Sequence, residues 1–225
     1  MNDSALPRLL HDVLTVGAAY PLALTGDLAV RAHGLVDRRA QDLEVATEAA
    51  EPMERIAATV RSGLTDRGWL VRPLETDPLS ARLIVTDPGT GEEQTLDLLK
   101  ETFWHPPVTT GLGLALSLED VVGIRVRALA DRGAARDLID VHAAADRWSL
   151  TELEELGRRH AHDALDLADL QSRLEGTEWL DDRAFAAHGL DERAVTSLRQ
   201  WAQTWANDIA ERLLEDQALE SPPDE

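Results

Sequence analysis

The chain has 225 residues, 44% of them hydrophobic, which is enough for one generous domain or two small ones with a real core. Its 22 basic and 42 acidic residues give a net charge of −20, so its surface repels nucleic acid unless arginine is concentrated in one place, because phosphate backbones are held by Lys and Arg that displace counterions. The absence of cysteine excludes disulfides and thiolate metal sites, and no stretch approaches the roughly 20 apolar residues of a membrane span.

Met1-Asn2-Asp3-Ser4 carries no basic n-region, so neither a signal nor a transit peptide is read, and a soluble cytoplasmic protein is expected. Lys100 is the single lysine, and nearly all positive charge is arginine. That bias, with abundant Ala and Leu, fits a high-GC bacterial source.

Residues 5–16 place Leu6, Leu9, Leu10, Val13 and Leu14 on one helical stripe. Pro21 to Thr25 reads as a short buried strand ending at Gly26, and residues 27–34 as a helix. Asp42 to Thr47 alternates acid and apolar residues and reads as a strand. Met53, Ile56, Ala57, Val60 and Leu64 recur at helical spacing through 51–67. Trp69 to Leu74, Ala81 to Val85 and Gln94 to Leu99 are strand-like, and the turn at Asp87-Pro88-Gly89-Thr90-Gly91 makes 81–99 a hairpin.

Pro106-Pro107 and the Gly111/Gly113 pair predict a loop. Ser117, with Asp120 three residues on, opens a helix carrying Val121, Ile124, Ala128 and Leu129. Gly133 interrupts it, a second helix is expected over 134–147, and Ser149 with Glu152 is a capping box for a third. A last long helix from near Asp191 aligns Ala194, Leu198, Trp201, Trp205, Ile209 and Leu213, a stripe read as core.

The expected fold class is α+β: a mixed sheet with flanking helices over 1–105, a helical domain over 106–216, and a disordered acidic tail over 217–225. No internal repeat is visible.

Three features stand in order: a strand turning into a helix at Gly26, a strand with Asp42-x-Glu44, and a strand with Asp97 between two leucines. Side chains two apart on a strand share a face, so Asp42 and Glu44 form one carboxylate pair. A strand entering a helix at glycine exposes backbone N–H groups, which bind phosphate. A third carboxylate on a neighbouring strand can complete a two-metal site for phosphoryl chemistry. Hard oxygen ligands without cysteine make Mg²⁺ the natural tenant.

This ordered set resembles the polymerase-β-like nucleotidyltransferase superfamily. The stretch LALTGDLAVRAHGLVDRRAQDLEVAT resembles its AbiEii/AbiGii toxin branch. A second segment, LEDVVGIRVRALADRGAARDLIDVHA, is similar to that branch's downstream motif through Asp120, Arg125, Ala128-Leu129, Arg132, Arg136-Asp137 and Asp140. Together the matches cover roughly residues 20–145.

The resemblance implies an Mg²⁺-dependent enzyme that transfers a nucleotide from a nucleoside triphosphate to an acceptor. Relatives act as toxins of toxin–antitoxin pairs, in some of which the acceptor is RNA, including tRNA, and a cognate antitoxin protein is then a partner. It further implies that Gly26 and Asp27 lie at the triphosphate with Arg125, Arg132 and Arg136. Asp42, Glu44 and Asp97 hold metal and form the catalytic set, with Asp97 helping to deprotonate the attacking hydroxyl. Asp137 and Asp140 support the site.

The chain departs from that pattern at four positions. Asp27 stands where the family has a small residue touching phosphate, and a carboxylate there would cost about 1–4 kcal/mol by repulsion. Ala40 replaces a threonine, Glu44 an aspartate and Arg125 a lysine. Two other readings therefore stand beside the first. One is a catalytically degenerate nucleotide-binding or protein-interaction module of the same fold. The other is a small-molecule nucleotidyltransferase, of the aminoglycoside-modifying kind, whose cationic acceptor suits an acidic surface. An RNA acceptor requires an arginine-lined groove, with Arg31, Arg38, Arg39, Arg125, Arg127 and Arg132 as candidates. The histidines are scattered, and His160-x-His162 is not a helical ligand spacing, so they are read as structural.

Overall fold

The computed structural model of the chain describes residues 5–40, 42–161 and 163–220; His162 and residues 221–225 of the expected tail lie outside them. Contacts divide the chain into two compact units, Met1–Val121 and Val122–Glu225.

The first unit opens with α1 (Ala5–Val16), whose Leu9, Leu10 and Val13 are buried as the helical stripe requires. A two-residue strand β1 (Ala23–Leu24) leads into α2 (Gly26–Ala32). Then come β2 (Asp42–Thr47), α3 (Met53–Asp66), β3 (Leu70–Thr76), β4 (Ser80–Thr86) and β5 (Glu93–Lys100). Two short strands follow, β6 (Val108–Thr110) and β7 (Gly113–Ala115). All seven join one mixed sheet in the order β3-β4-β5-β2-β1-β7-β6.

The sheet has one greasy face and one sparse face. Along β4, Ala81, Leu83 and Val85 are buried while Arg82 is exposed, the period-2 pattern of a sheet covered on one side. Leu96 and Leu98 of β5 and Leu43 and Val45 of β2 continue the buried layer, packed with Ile56, Val60 and Leu64 of α3. The other face carries Arg82, Asp97, Glu44 and Asp42 by the same alternation.

β6 and β7 correct the expected loop over 106–113. Thr110 pairs with Gly113 across a two-residue turn, and Gly113, at φ +125°, is a backbone angle that favours glycine. β7 adds parallel to β1 through Leu24 and Ala115. The first unit consequently extends to residue 121 rather than 105. Strands of three residues, Val-Thr-Thr and Gly-Leu-Ala, are too short to show a hydrophobic alternation, so only pairing with a free sheet edge reveals them.

The second unit is helical. α4 (Leu118–Arg132) straddles the division and opens at Ser117, whose Oγ accepts from the Asp120 backbone N–H at 3.0 Å. Gly133, at φ +62°, ends it. α5 (Ala135–His142) is shorter than the 134–147 expected, its C-terminus passing into turns. α6 (Leu150–His160) has the complete Ser149/Glu152 capping box. α7 (Leu167–Glu175) and α8 (Asp182–Ala186) precede α9 (Glu192–Glu220). α9 buries Val195, Leu198, Ala202, Trp205 and Ile209, spaced three and four residues apart as one helical seam. Residues 217–220 of the expected tail continue this helix. No helix among the described residues is long and apolar enough to cross a membrane.

Candidate active site

Gly26 and Glu44 are brought together by the pairing of β1 with β2. Leu24 lies opposite Val45, and the Thr25 N–H donates to the Glu44 carbonyl at 3.1 Å. The chain then turns at Gly26 with φ +61°. A Cβ built there would lie 2.1 Å from Glu44 Oε2. Glycine is thus required twice, by its backbone angle and by a carboxylate pressed against its α-carbon.

The third acid arrives by register. β2 and β5 run parallel with Glu44 opposite Asp97 and Asp42 opposite Thr95. Asp42, Glu44 and Asp97 therefore share the sparse face of the sheet, with adjacent strands about 4.8 Å apart. Asp42 and Glu44 are partly exposed, whereas Asp97 is 7% exposed.

Asp97 is not presented bare. β4 pairs antiparallel with β5 so that Arg82 faces Asp97. The Arg82 Nε donates to Oδ1 at 2.7 Å and a terminal nitrogen donates to Oδ2 at 2.9 Å, a bidentate fork. The hydrogen bonds and charge of Asp97 raise the Arg82 pKa above its ordinary value, and the charge of Asp42 adds to the rise. Sequence reasoning passed over Arg82. Its only signal was a charged residue between Ala81 and Leu83 on the strand preceding Asp97.

Asp27 faces inward. Its side chain is 4% exposed and accepts from a terminal nitrogen of Arg38 at 2.7 Å, the Arg38 side chain being 8% exposed. The carboxylate charge that would repel phosphate is neutralised by this buried partner. Ala40 sits ahead of β2, beside the undescribed Gln41.

The donor set suits Mg²⁺ as it is usually bound with nucleotides, by one or two carboxylates together with substrate phosphates. Asp42 and Glu44 are hard oxygen ligands on one face, and the missing side chain at Gly26 gives Glu44 its room. Among the described residues no group of three or more His, Asp or Glu is arranged to hold a metal, and both Asp97 oxygens are engaged by Arg82.

The downstream motif lies in the second unit as a buried ion cluster. Arg132 forks onto Asp137, with both bonds at 2.7 Å. Arg125 reaches Asp137 at 3.3 Å and Asp140 at 3.0 Å. Asp137 and Asp140 are completely or almost completely buried, and Arg125 is 4% exposed. Arg136 is half-buried on α5.

The groove-lining role expected of the arginines is thus largely pre-empted. Arg38 and Arg125 are buried with acids, Arg132 grips Asp137, and Arg127 donates to the His160 carbonyl at 2.8 Å. Arg31 is half-buried and Arg39 is exposed. Three of the described histidines have structural surroundings: His33 contacts the Leu116 carbonyl through Nε2, His142 meets the Trp201 ring edge-on, and His160 is buried. A separate groove of about 750 Å³, lined by Met53, Ala57, Pro73 and Leu83, opens on the buried-layer side of the sheet rather than on the carboxylate face.

The fold is that of nucleotidyltransferases. It is similar to JHP933 of Helicobacter pylori at 20% identity over 98% of this chain and all of that one, with a TM-score of 0.55. A candidate nucleotidyltransferase from the same organism gives 18% identity over 99% of this chain and 100% of that one, with a TM-score of 0.56. MenT4, a nucleotidyltransferase toxin of Mycobacterium tuberculosis H37Rv, gives 16% identity over 92% and 91%, with a TM-score of 0.52. No protein-family profile and no curated protein sequence matches the chain.

Proposed function

We propose that the chain is a nucleotidyltransferase whose triphosphate site is built from Gly26, Asp42 and Glu44. The observation that carries this reading is the contact of the Glu44 carboxylate with the bare α-carbon of Gly26, with Asp42 beside it and Asp97 in register opposite. Within a nucleotidyltransferase fold, that joins the phosphate turn to the metal acids in one place. The burial of Asp27 against Arg38 removes the main electrostatic objection to an active site.

In the proposed reaction an acceptor hydroxyl oxygen attacks the α-phosphorus of a nucleoside triphosphate. The bond to the bridging oxygen breaks, pyrophosphate leaves with its electron pair, and the hydroxyl proton is lost to solvent or to a carboxylate of the face. Asp42 and Glu44 would hold Mg²⁺, which when bound supplies positive charge to the phosphate oxygens. Gly26 lets the chain approach the phosphates closely. The buried Arg125–Asp137–Asp140–Arg132 cluster sets the α4–α5 geometry rather than meeting the nucleotide.

A toxin role is supported by the likeness to MenT4, a nucleotidyltransferase toxin, and the resemblance to the AbiEii/AbiGii branch then implies RNA as acceptor and a cognate antitoxin. A small cationic acceptor is favoured by a different observation: net charge is −20, and Arg38, Arg125 and Arg132 are consumed in ion pairs.

Titration calorimetry with ATP, CTP, GTP and UTP, with and without Mg²⁺, tests the site. Mg²⁺-dependent binding of at least one triphosphate is expected, and Asp42→Ala should weaken it by at least about tenfold, the loss that removing even a partner of a metal ligand brings. Binding of no triphosphate by the folded protein would leave the degenerate, partner-binding module as the answer.

A further inference from the structure

The carboxylate face does not end at Asp97. Asp42 lies opposite Thr95 on β5, Thr95 opposite Ile84 on β4, and Ile84 opposite Arg72 on the edge strand β3. Cross-strand partners share a face, so these four side chains form one row beside the row of Glu44, Asp97 and Arg82. The row crosses three strand spacings, about 14 Å of sheet. Thr95 and Ile84 are partly buried and Arg72 is exposed, with Leu70, 60% exposed, two residues away on the same face. α3 packs on the opposite, buried layer of these strands. Arg72 differs from the other arginines near the site. Arg38 is buried on Asp27, and Arg82 is held in the Asp97 fork. Arg72 faces an isoleucine across the ladder and, among the described residues, carries no ion pair.

In phosphoryl transfer the attacking and leaving oxygens lie roughly in line through the phosphorus. The Gly26 turn follows β1 on one side of β2, while β5, β4 and β3 lie on the other. With the triphosphate at Gly26, pyrophosphate departs on the β1 side and the attacking hydroxyl enters from the β5 side. The body of the acceptor is then laid over β5, β4 and β3. We propose that the row of Thr95, Ile84 and Arg72 seats the acceptor, a single-stranded nucleic-acid end whose hydroxyl reaches the acids while Arg72 grips a phosphate farther along the strand. The inference rests on the nucleotidyltransferase reading and assigns the acceptor side of that same site. An exposed guanidinium forks onto phosphate oxygens. The aliphatic surface of Ile84 and Leu70 offers a ledge for a base, and the Thr95 hydroxyl can donate or accept. Arg72 is then a specificity-determining residue: it attracts a phosphate-bearing acceptor and repels a cationic one.

Fluorescence anisotropy of an end-labelled, mixed-sequence single-stranded RNA with a free terminal hydroxyl, titrated with the full-length protein in Mg²⁺, tests the inference. Arg72→Gln should weaken binding at least about threefold. It should also reduce the slope of log affinity against log salt by about 0.7, the change expected from one phosphate contact on a single strand. Ile84→Glu, which sets a negative charge in the middle of the row, should weaken binding by at least as much. Arg193→Gln, which removes an exposed charge from α9, should leave affinity and slope unaltered, separating a phosphate contact from net charge. Circular dichroism melts confirm that each variant is folded, and calorimetry follows triphosphate binding by the same samples. RNA binding weakened equally by Arg72→Gln and Arg193→Gln, or no RNA binding by a protein that binds triphosphate, would overturn the inference while leaving the nucleotidyltransferase reading standing. So would binding of kanamycin, a polycation, that tightens in Arg72→Gln, which would assign the row to a cationic acceptor. No triphosphate bound by the folded protein would overturn both.

Discussion

The two units handle the same chemical pairing in opposite ways. On the sheet of the first unit, Asp42 and Glu44 stand partly exposed, and a single arginine fork secures Asp97 beside them. In the helical unit, Asp137 and Asp140 are buried, and the positive charges of Arg125 and Arg132 lie against them. The first arrangement leaves the Asp42 and Glu44 carboxylates within reach of solvent. The second satisfies its carboxylates within the protein. A buried carboxylate without a partner is too costly to persist, so the enclosed pairing of Asp137 and Asp140 marks a structural role, whereas acids open to solvent are placed to meet a ligand.

The sharpest way to break this comparison is to remove one acid from each region. Asp137→Ala would leave Arg125 and Arg132 without their shared acceptor and should destabilise the protein by about 3–5 kcal/mol, the usual cost of breaking a buried ion pair by deleting one partner. Urea denaturation followed by circular dichroism measures it. Asp42→Ala, which abolishes nucleotide binding in the proposed site, should shift the same curve by no more than about 0.5 kcal/mol, as substitutions away from buried networks do. Equal destabilisation by the two variants would mean that the carboxylate face is also a structural network.

A smaller effect is expected at the turn between the regions of phosphate and metal chemistry. Gly26→Ala places a methyl group 2.1 Å from Glu44 Oε2 at a backbone φ of +61°. The strained angle and the displaced carboxylate should together cost about 1–3 kcal/mol. The variant should also lose triphosphate affinity beyond what its stability explains. If calorimetry finds full affinity in a folded Gly26→Ala protein, Glu44 is not held where the proposed site needs it.

The smallest effect concerns pH in the helical unit. Burial holds the His142 pKa below its ordinary value of 6.5, and the nearby charge of Asp146 only partly opposes the shift. The unfolded chain then binds more protons than the folded one between the two pKa values. Stability is therefore complete above about pH 6.5 and falls as the pH drops toward the folded-state value. His142→Leu should flatten the dependence of Tm on pH below about 6.5 while leaving the alkaline side unchanged. An unaltered slope would assign the acid sensitivity to other groups.

Much of the fold was legible because it rests on periodicity. α1, α3 and the strands β2, β4 and β5 fall close to where apolar spacing puts them, and both helix caps at Ser117 and Ser149 form as their spacing implies. The α9 seam was displaced, with Val195 and Ala202 buried where Ala194 and Trp201 were expected. Alanine is small enough to belong to either face, so its position in a helix does not reveal the core. β6 and β7 were illegible because their short hairpin is held to the sheet through β7, which pairs with β1 far away in sequence.

By itself the sequence determined which side chains share a face: an i, i+2 pair on a strand points one way whatever the strand later pairs with. That places Asp42 with Glu44 and separates Arg82 from Ala81 and Leu83. Only the tertiary structure decided which of these charges meet. Strand order and register set Glu44 against Asp97 and Asp97 against Arg82, and the turn after β1 drives Gly26 onto Glu44. The fold likewise turned Asp27 inward to Arg38 and locked Arg125 and Arg132 onto Asp137. Charge pairing is a property of distance through space, and with attraction varying inversely with distance and strengthened where water is excluded, it cannot be read from spacing along the chain.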